Sequence, residues 1–310
     1  MITVENVTKL YGLVIGVNDI TMSLEPGAYG LLGPNGSGKT TLLNLLTGQL
    51  RTTLGRVRVL DEHPWNNSDL FRRIGVCPAT ESMYANVSGL DWVRYQMELH
   101  GFSRTKSQKL AEDALETVDM TEAMHRDIGG YSRGMRQRTK IAQAIAHDPD
   151  LLILDEPFMG LDPIGRHEMT TMLKAMVRDG KMLLLASHIL HEVEAITDSF
   201  LLICGGRLLA SGSSEEVNSL LADAPNEIRI RCNNAAELAR RILAEDIVDA
   251  IKLEEEGRVL VLTTKNPATV YKEIPGWAKA AGVQVSELTS SIDSLETLFD
   301  SLLKIHRGEM

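Results

Sequence analysis

The sequence predicts an α/β fold in which a larger domain is built around a parallel β-sheet and a small α+β domain follows. Three observations lead to this prediction. Strand-like runs alternate with helical patterns, a glycine-rich loop joins a strand to a helix near the amino terminus, and a turn-like composition at 223–226 precedes a second series of elements. A length of 310 residues agrees with two domains of about 150 residues each.

The composition is that of an ordinary folded protein, with 44% hydrophobic and 24% charged residues. A formal charge of −10 argues against a nucleic-acid partner. The longest apolar runs fall short of the roughly 18 residues that cross a bilayer. The amino terminus has no secretory pattern, and the three cysteines form no CxxC pair, so we expect a cytoplasmic chain with reduced thiols.

The first domain is predicted to span 1–221, with a mostly helical insertion at about 87–147. Before the insertion, a strand leads through glycines into a helix, which is the shape of a phosphate-binding loop. After it, three strand-like runs and one helical run follow the βαβ rhythm of a parallel sheet. The predicted strands are 2–7, 20–24, 28–32, 151–154, 182–186 and 200–204, and the predicted helices outside the insertion are 38–47 and 165–178.

The second domain is predicted to span 222–310 and to have the order βαββαβ, followed by a final helix. Ile292, Leu295, Phe299 and Leu302 would form one apolar stripe on that helix. RNA-binding modules have a similar order, but acidic residues outnumber basic ones here and aromatic residues are few, so RNA recognition is not expected. The predicted elements are β 227–231, α 235–244, β 247–253, β 258–263, α 267–280, β 283–288 and α 293–304.

The glycine-rich loop matches the pattern GxxxxGK[ST] and lies between a strand and a helix. Its glycines allow backbone N–H groups to turn toward phosphates, and the helix amino terminus adds partial positive charge. Lys39 would contact the β and γ phosphates, and the Thr40 hydroxyl would bind Mg²⁺. The residues predicted to bind nucleotide here are Gly33, Pro34, Asn35, Gly36, Ser37, Gly38, Lys39, Thr40 and Thr41.

Two acidic residues follow the apolar strand run 151–154, so they should lie at the carboxyl edge of the sheet, where ligands bind. Asp155 is predicted to hold Mg²⁺ together with Thr40. Glu156 is predicted to polarise the water that attacks the γ-phosphate. A strand followed by acids is often only a solvated turn, but its pairing with the phosphate loop favours a catalytic site.

With these motifs the sequence resembles the nucleotide-binding subunits of ABC transporters over about residues 1–220. The segment 131–138, Tyr-Ser-Arg-Gly-Met-Arg-Gln-Arg, is similar to the signature motif of that family. Other P-loop enzymes lack this motif, and no NKxD guanine motif occurs in the chain, which argues against a signalling GTPase. The resemblance implies a P-loop NTPase fold of the ABC type with a helical subdomain, and an ATPase that uses ATP and Mg²⁺.

The resemblance also implies that two subunits pair head to tail. Ser132 and the Gly134 backbone of one subunit would close over ATP held by Lys39 of the other, although a serine there can equally be a plain helix cap. The partner is a second ATPase subunit, identical or different. Three more matches assign family roles: adenine stacking to Tyr11, coupling of the two sites to Asp162, and a γ-phosphate contact to His188.

Two positions depart from the family pattern. Ala79 follows Pro78 where the family usually has Gln or Glu, and alanine can neither bind Mg²⁺ nor orient water; Glu81 is one hypothetical substitute. Arg133 replaces a common glycine, which resembles exporters whose ATPase and permease are separate chains. The segment 294–299, Ser-Leu-Glu-Thr-Leu-Phe, is similar to the end of that subtype's ATPase subunits, whose appended domain is usually regulatory or dimer-supporting.

The resulting functional hypothesis is an ATPase subunit that drives export through a separate multi-span membrane permease. The chain would then be peripheral on the cytoplasmic face of the membrane, held there by the permease. The alternative is a soluble ABC ATPase that acts on DNA or ribosomes. Long coiled-coil insertions, zinc cysteines or a second nucleotide domain, which are typical of that alternative, do not occur in the sequence. The exported substrate and the choice between homodimer and heterodimer stay open.

Overall fold

The computed structural model describes residues 1–80, 82–213, 216, 226–243, 245 and 247–290. The chain divides into two compact units, Met1–Ser214 and Glu215–Met310. The division falls close to the boundary predicted at 221. In the described residues, no helix is both long and apolar enough to cross a membrane.

The first unit contains nine strands among its described residues and several helices. The strands are β1 (Ile2–Tyr11), β2 (Val14–Leu24), β3 (Ala28–Leu32), β4 (Leu54–Val59), β5 (Ile74–Cys77), β6 (Leu151–Asp155), β7 (Met182–Ser187), β8 (Ser199–Cys204) and β9 (Arg207–Ser213). The helices are α1 (Lys39–Leu46), α2 (Ser68–Phe71), α3 (Gly89–Leu99), α4 (Arg104–Thr117), α5 (Arg133–Ile145), α6 (Pro163–Arg178) and α7 (Leu190–Glu194).

The central sheet has six strands in the order β5-β6-β7-β3-β8-β9. Its pairs are parallel except for β8 and β9, which form an antiparallel hairpin. The strands β6 and β7 are buried along their whole length, which explains their continuous apolar sequences. The carboxyl ends of β3, β6 and β7 meet at one edge, where ligands bind in such sheets. This confirms the predicted α/β fold.

A second, antiparallel sheet has the order β2-β1-β4 and shares an apolar core with the central sheet and α1. Strands β1 and β2 are longer than the predicted 2–7 and 20–24, and β4 was not predicted. Register shifts after Val4 and Val7 interrupt the two-residue alternation of β1, so its later part does not have a regular strand pattern. In β4, Val57 and Val59 are buried between outward arginines.

The helical insertion consists of α3, α4 and α5, which pack against one another. Each begins with a serine whose hydroxyl accepts a backbone hydrogen bond: Ser88 for α3, Ser103 for α4 and Ser132 for α5. Helix α5 also packs on β5 of the central sheet. It therefore links the helical insertion to the sheet that carries the site.

The second unit has the predicted order βαββαβ. Its elements are β10 (Asn226–Cys232), α8 (Ala235–Leu243), β11 (Ala250–Glu254), β12 (Val259–Thr264), α9 (Pro267–Ala281) and β13 (Val285–Ser290). The sheet order is β11-β12-β10-β13, and all pairs are antiparallel, as in ferredoxin-like folds. Both helices contribute to one apolar core with the sheet. The predicted helix 293–304 and its stripe lie outside the described residues.

Candidate active site

The phosphate loop leaves β3 and enters α1, as the sequence predicts. Two of its glycines have left-handed backbones, with φ of +78° at Gly36 and +108° at Gly38. A Cβ on Gly38 would lie 2.6 Å from the Gly16 carbonyl oxygen, and one on Gly33 would lie 2.3 Å from the Ile203 carbonyl oxygen. Glycine is therefore required by the close approach of neighbouring backbone.

Lys39 is almost fully buried, and its Nζ donates hydrogen bonds to the Gly33 carbonyl at 2.6 Å and the Pro34 carbonyl at 3.3 Å. Burial lowers the pKa of Lys39, and the nearby carboxylates of Asp155 and Glu156 act against that shift. The ammonium group is thus held across the loop, beside the two acids.

Ser37 has a buried hydroxyl without a hydrogen-bond partner among the described residues. The surrounding backbone is firmly held, because Ser37 O accepts from Gly206 N at 2.8 Å and Gly206 O accepts from Asn18 N at 2.7 Å. An orphaned hydroxyl inside a glycine cradle fits a phosphate that would bind it.

Thr40 and Asp155 lie together at the junction of α1 and β6. Thr40 Oγ1 donates to Asp155 Oδ2 at 2.8 Å, and Asp155 is buried. Burial raises the pKa of Asp155, while the hydrogen bond from Thr40 acts in the opposite direction. A carboxylate and a hydroxyl oxygen at this spacing form a donor set that suits Mg²⁺, which takes oxygen ligands.

Glu156 faces His188 across the carboxyl ends of β6 and β7. Glu156 Oε1 lies 2.9 Å from His188 Nδ1, and an ionised carboxylate can only accept, so Nδ1 carries the hydrogen. Glu156 has a left-handed backbone with φ of +52°, fixed by a 2.9 Å hydrogen bond from its N–H to the Ala186 carbonyl. Such strain in a residue other than glycine is typical of functional sites.

The phosphate loop, Asp155 and Glu156 open onto one cleft of about 370 Å³. Tyr11 forms one side of it: the ring is 45% exposed, and its hydroxyl lies 3.5 Å from Thr41 Oγ1. The volume lies within the range of small-ligand sites. The cleft brings together Tyr11, Pro34, Asn35, Gly36, Ser37, Gly38, Lys39, Thr40, Thr41, Asp155 and Glu156, all of which the sequence predicts as site residues.

Five predicted residues do not line this cleft: Gly33, Ser132, Gly134, Asp162 and His188. Gly33 and His188 bind its lining residues Lys39 and Glu156. Ser132 caps α5 by accepting from Met135 N at 3.2 Å, and Gly134 lies in the first turn of the same helix. Asp162 caps α6 by accepting from Gly165 N at 2.8 Å. Within one chain the Ser132 and Asp162 side chains are helix caps, so the roles assigned to Ser132, Gly134 and Asp162 across a pair of subunits stay predictions.

Sequence reasoning missed Gln137, which is buried on α5. Its amide donates to the Pro157 carbonyl at 2.9 Å and to the Glu156 carbonyl at 3.4 Å, and it lies 3.7 Å from Cys77 Sγ. Gln137 thus holds the backbone that leaves Glu156 on its carboxyl side. A polar residue four positions before the apolar pair Ile141–Ala142, on one face of the predicted helix, was the available signal.

Sequence reasoning also missed an ionic network behind His188. Arg166 Nη1 lies 3.0 Å from Glu192 Oε1, and Ser187 Oγ donates to Glu192 Oε2 at 3.0 Å. Arg166 Nε also donates to the Leu161 carbonyl at 3.2 Å. The network joins the start of α6 to the strand end that carries His188. Its members lie on three separate elements, so no sequence pattern identifies them.

Ala79 lines the cleft with a methyl group, as its residue type predicts. It offers no side-chain ligand to a metal ion. Glu81, the hypothetical substitute, lies outside the described residues.

With this geometry in place, comparison with known proteins gives the family. The sequence profile of the family described as ABC transporter matches residues 17–159. The bacitracin transport ATP-binding protein BcrA of Bacillus licheniformis is 34% identical over 308 residues, covering 98% of this chain and 97% of that protein. The chain belongs to the ABC transporter ATP-binding proteins. This ATP-binding subunit is an ATPase, as the sequence motifs predicted.

Other ABC proteins agree with this assignment. The Nod factor export ATP-binding protein I of Cupriavidus metallidurans is 33% identical, covering 70% of this chain and 72% of that protein. The ATP-binding cassette MJ0796, in its dimeric post-hydrolysis state bound to ADP and Pi, superposes with a TM-score of 0.65 at 20% identity, over 69% of this chain and 98% of the cassette. The alternative of a soluble ABC ATPase acting on DNA or ribosomes finds no support among these relatives.

Proposed function

We propose that this ABC ATPase drives export through a separate membrane permease by binding and hydrolysing ATP. One observation carries the proposal: the buried Lys39, the Thr40–Asp155 pair and Glu156, which His188 contacts, converge on a single open cleft. The names of relatives that transport bacitracin or export Nod factors support the direction of transport.

Within the cleft, the side chains have distinct tasks. The phosphate loop and Lys39 bind the phosphates, and Tyr11 stacks on the adenine. Thr40 and Asp155 would hold Mg²⁺, which neutralises charge on the phosphates when bound. Glu156 accepts a proton from the attacking water, and His188 fixes the Glu156 carboxylate through Nδ1.

The site is completed by a second ATPase subunit. Ser132 and Gly134 lie outside their own chain's cleft, at the amino terminus of α5, where a helix end favours anions. In a head-to-tail pair they would close over the nucleotide bound by the partner, and Asp162 would lie between the two sites. The pair is formed by two copies of this chain or by one copy and a related chain.

The permease is a separate multi-span protein, and this chain lies at the cytoplasmic face through its contact with the permease. The ATPase domain covers 1–221, and 222–310 form an accessory domain that regulates or supports the pair. The alignment with the BcrA relative covers both units, so the relative has a segment that corresponds to the second unit.

The test is to purify full-length Glu156→Gln protein from native membranes in mild detergent with ATP and Mg²⁺, and to identify stoichiometric companions by mass spectrometry. We expect a multi-span membrane protein among the stoichiometric companions. Lys39→Ala protein, prepared in parallel, should show less ATP-dependent pairing of the two ATPase subunits. Stoichiometric companions that include no membrane-spanning protein would contradict the proposal.

A further inference from the structure

Lys140 lies on α5, three residues after Gln137, and its side chain is 3% exposed. Its Nζ donates to the Pro78 carbonyl at 2.7 Å and reaches the Ala79 carbonyl at 3.5 Å. The ammonium group therefore binds the backbone of the loop that leaves β5.

That loop forms part of the active-site wall. Cys77 ends β5 and is fully buried, and Ala79, two residues later, lines the nucleotide cleft. Because Ala79 has only a methyl side chain, the polar groups of this wall are backbone groups. The position of these backbone groups depends on the side chains that bind them. Among the described residues, Lys140 binds the Pro78 and Ala79 carbonyls.

The burial of Lys140 is unfavourable by itself. Burying an ammonium group costs free energy, and an apolar side chain of similar length would pack without that cost. Lys140 and Gln137 lie one turn apart, so both reach the active-site side of α5. Gln137 holds the Glu156 and Pro157 carbonyls, and Lys140 holds those of Pro78 and Ala79. Side chains on one face of α5 thus bind the backbone of two loops beside the cleft.

We propose that Lys140 is a positioning residue for ATP hydrolysis, which fixes the Pro78–Ala79 backbone to α5 and so sets the cleft wall opposite the phosphate loop. It acts through that backbone and not by contact with the nucleotide. The inference rests on the ATPase activity of the family and is independent of the identity of the permease.

The first test uses Lys140→Met in the full-length chain, because methionine keeps the apolar stem and removes the ammonium group. We expect kcat for ATP hydrolysis to fall about tenfold or more, the usual size of a positioning effect. KM for ATP should stay within about twofold, since the phosphate loop is untouched. Lys174→Met, on the exposed side of α6, is the matched control and should leave both constants unchanged.

A second measurement tests how firmly the Pro78–Ala79 loop is held. The Cys77 thiol is buried next to Pro78, so its alkylation rate, followed by mass spectrometry, measures how firmly the loop is held. Lys140→Met should raise that rate, while Cys232 in the second unit serves as an internal reference. Lys140→Arg, which keeps a cationic donor, should restore slow alkylation and at least part of kcat.

The outcomes distinguish a positioning role of Lys140 from an effect on the folding stability of the chain. Unchanged kcat in Lys140→Met would overturn the proposal. So would a loss of kcat that is matched by faster alkylation of both cysteines, because that pattern indicates general unfolding. If the methionine variant does not fold, Lys140→Gln takes its place, since its shorter amide cannot reach both carbonyls and the same loss of kcat is expected.

Discussion

The two sides of the nucleotide cleft are held in different ways. The phosphate loop, residues 33–40, is fixed by its own glycines, by Lys39 bonded to Gly33 and Pro34, and by the adjoining β8–β9 turn. The opposite side is formed by the loops that follow β5 and β6, which we call the α5-held loops, 77–79 and 155–157. Their backbone is fixed by side chains of α5 that are distant in sequence.

This difference separates binding from catalysis. The close backbone contacts of the phosphate loop are to Gly16, Ile203 and Gly206, which do not belong to α5. Helix α5, whose side chains bind the α5-held loops, packs on β5, so we expect the position of these loops to depend on that packing. Ser132 caps the amino terminus of α5, and we expect it to contact the nucleotide bound by a partner subunit. Movement of α5 would then alter hydrolysis without altering the first binding of ATP to the phosphate loop. Four predictions test this division, from the largest effect to the smallest.

The largest effect is expected at the α5-held loops, from Glu156→Gln. The change keeps size and removes the base, so kcat should fall by a factor on the order of 10² or more. ATP affinity should be retained, because the phosphate loop is intact. Steady-state hydrolysis and equilibrium ATP binding measure the two quantities on one preparation. Unchanged hydrolysis would remove Glu156 from the catalytic role.

Lys39→Ala, on the phosphate-loop side of the cleft, should mainly weaken ATP binding. It removes a charged donor, and such hydrogen bonds contribute roughly 1.5–3 kcal/mol, so ATP should bind about ten- to a hundredfold more weakly. Titration with ATP measures the dissociation constant, and Lys174→Ala is an exposed control. Retention of wild-type affinity would contradict the assignment of this loop.

Gln137→Leu should weaken the α5-held loops without touching ATP. The Pro157 carbonyl would lose its 2.9 Å donor, and an unsatisfied buried group costs about 1–3 kcal/mol. We expect a lower free energy of unfolding and a kcat reduced about tenfold, with little change in ATP affinity. Gln284→Leu, at an exposed position of the second unit, is the control. A loss of affinity equal to the loss of kcat would show that the two sides of the cleft are not separable.

The same division explains what the sequence could predict. The phosphate loop is contiguous, so spacing alone identifies its residues, and Asp155 and Glu156 follow an apolar strand whose edge position is fixed by the fold. Gln137, Lys140 and the Arg166–Glu192 pair act through contacts between distant elements, which no local pattern encodes. The strand β4 was missed for a related reason, since its six residues are stabilised by pairing with β1.

The smallest effect concerns the far end of the α5–β5 contact, where His147 follows α5. His147 Nε2 donates to the Ile74 carbonyl at 3.1 Å, and its Nδ1 is buried with no partner among the described residues. The ring stacks on His100 at 4.2 Å. Burial, with a further contribution from His100, lowers the pKa of His147 to about 4.

The direction of the pH effect follows from these contacts. In the unfolded chain His147 has its ordinary pKa near 6.5, so on acidification the unfolded state takes up a proton before the folded state does. Stability is therefore fully present above about pH 6.5 and decreases as the pH falls toward 4. Between pH 7 and 6 the loss should be less than about 1 kcal/mol. In urea unfolding, His147→Gln should flatten this slope, whereas the exposed His125→Gln should not. An equal slope in all three proteins would show that His147 takes up its proton without disturbing the packing of α5 on β5.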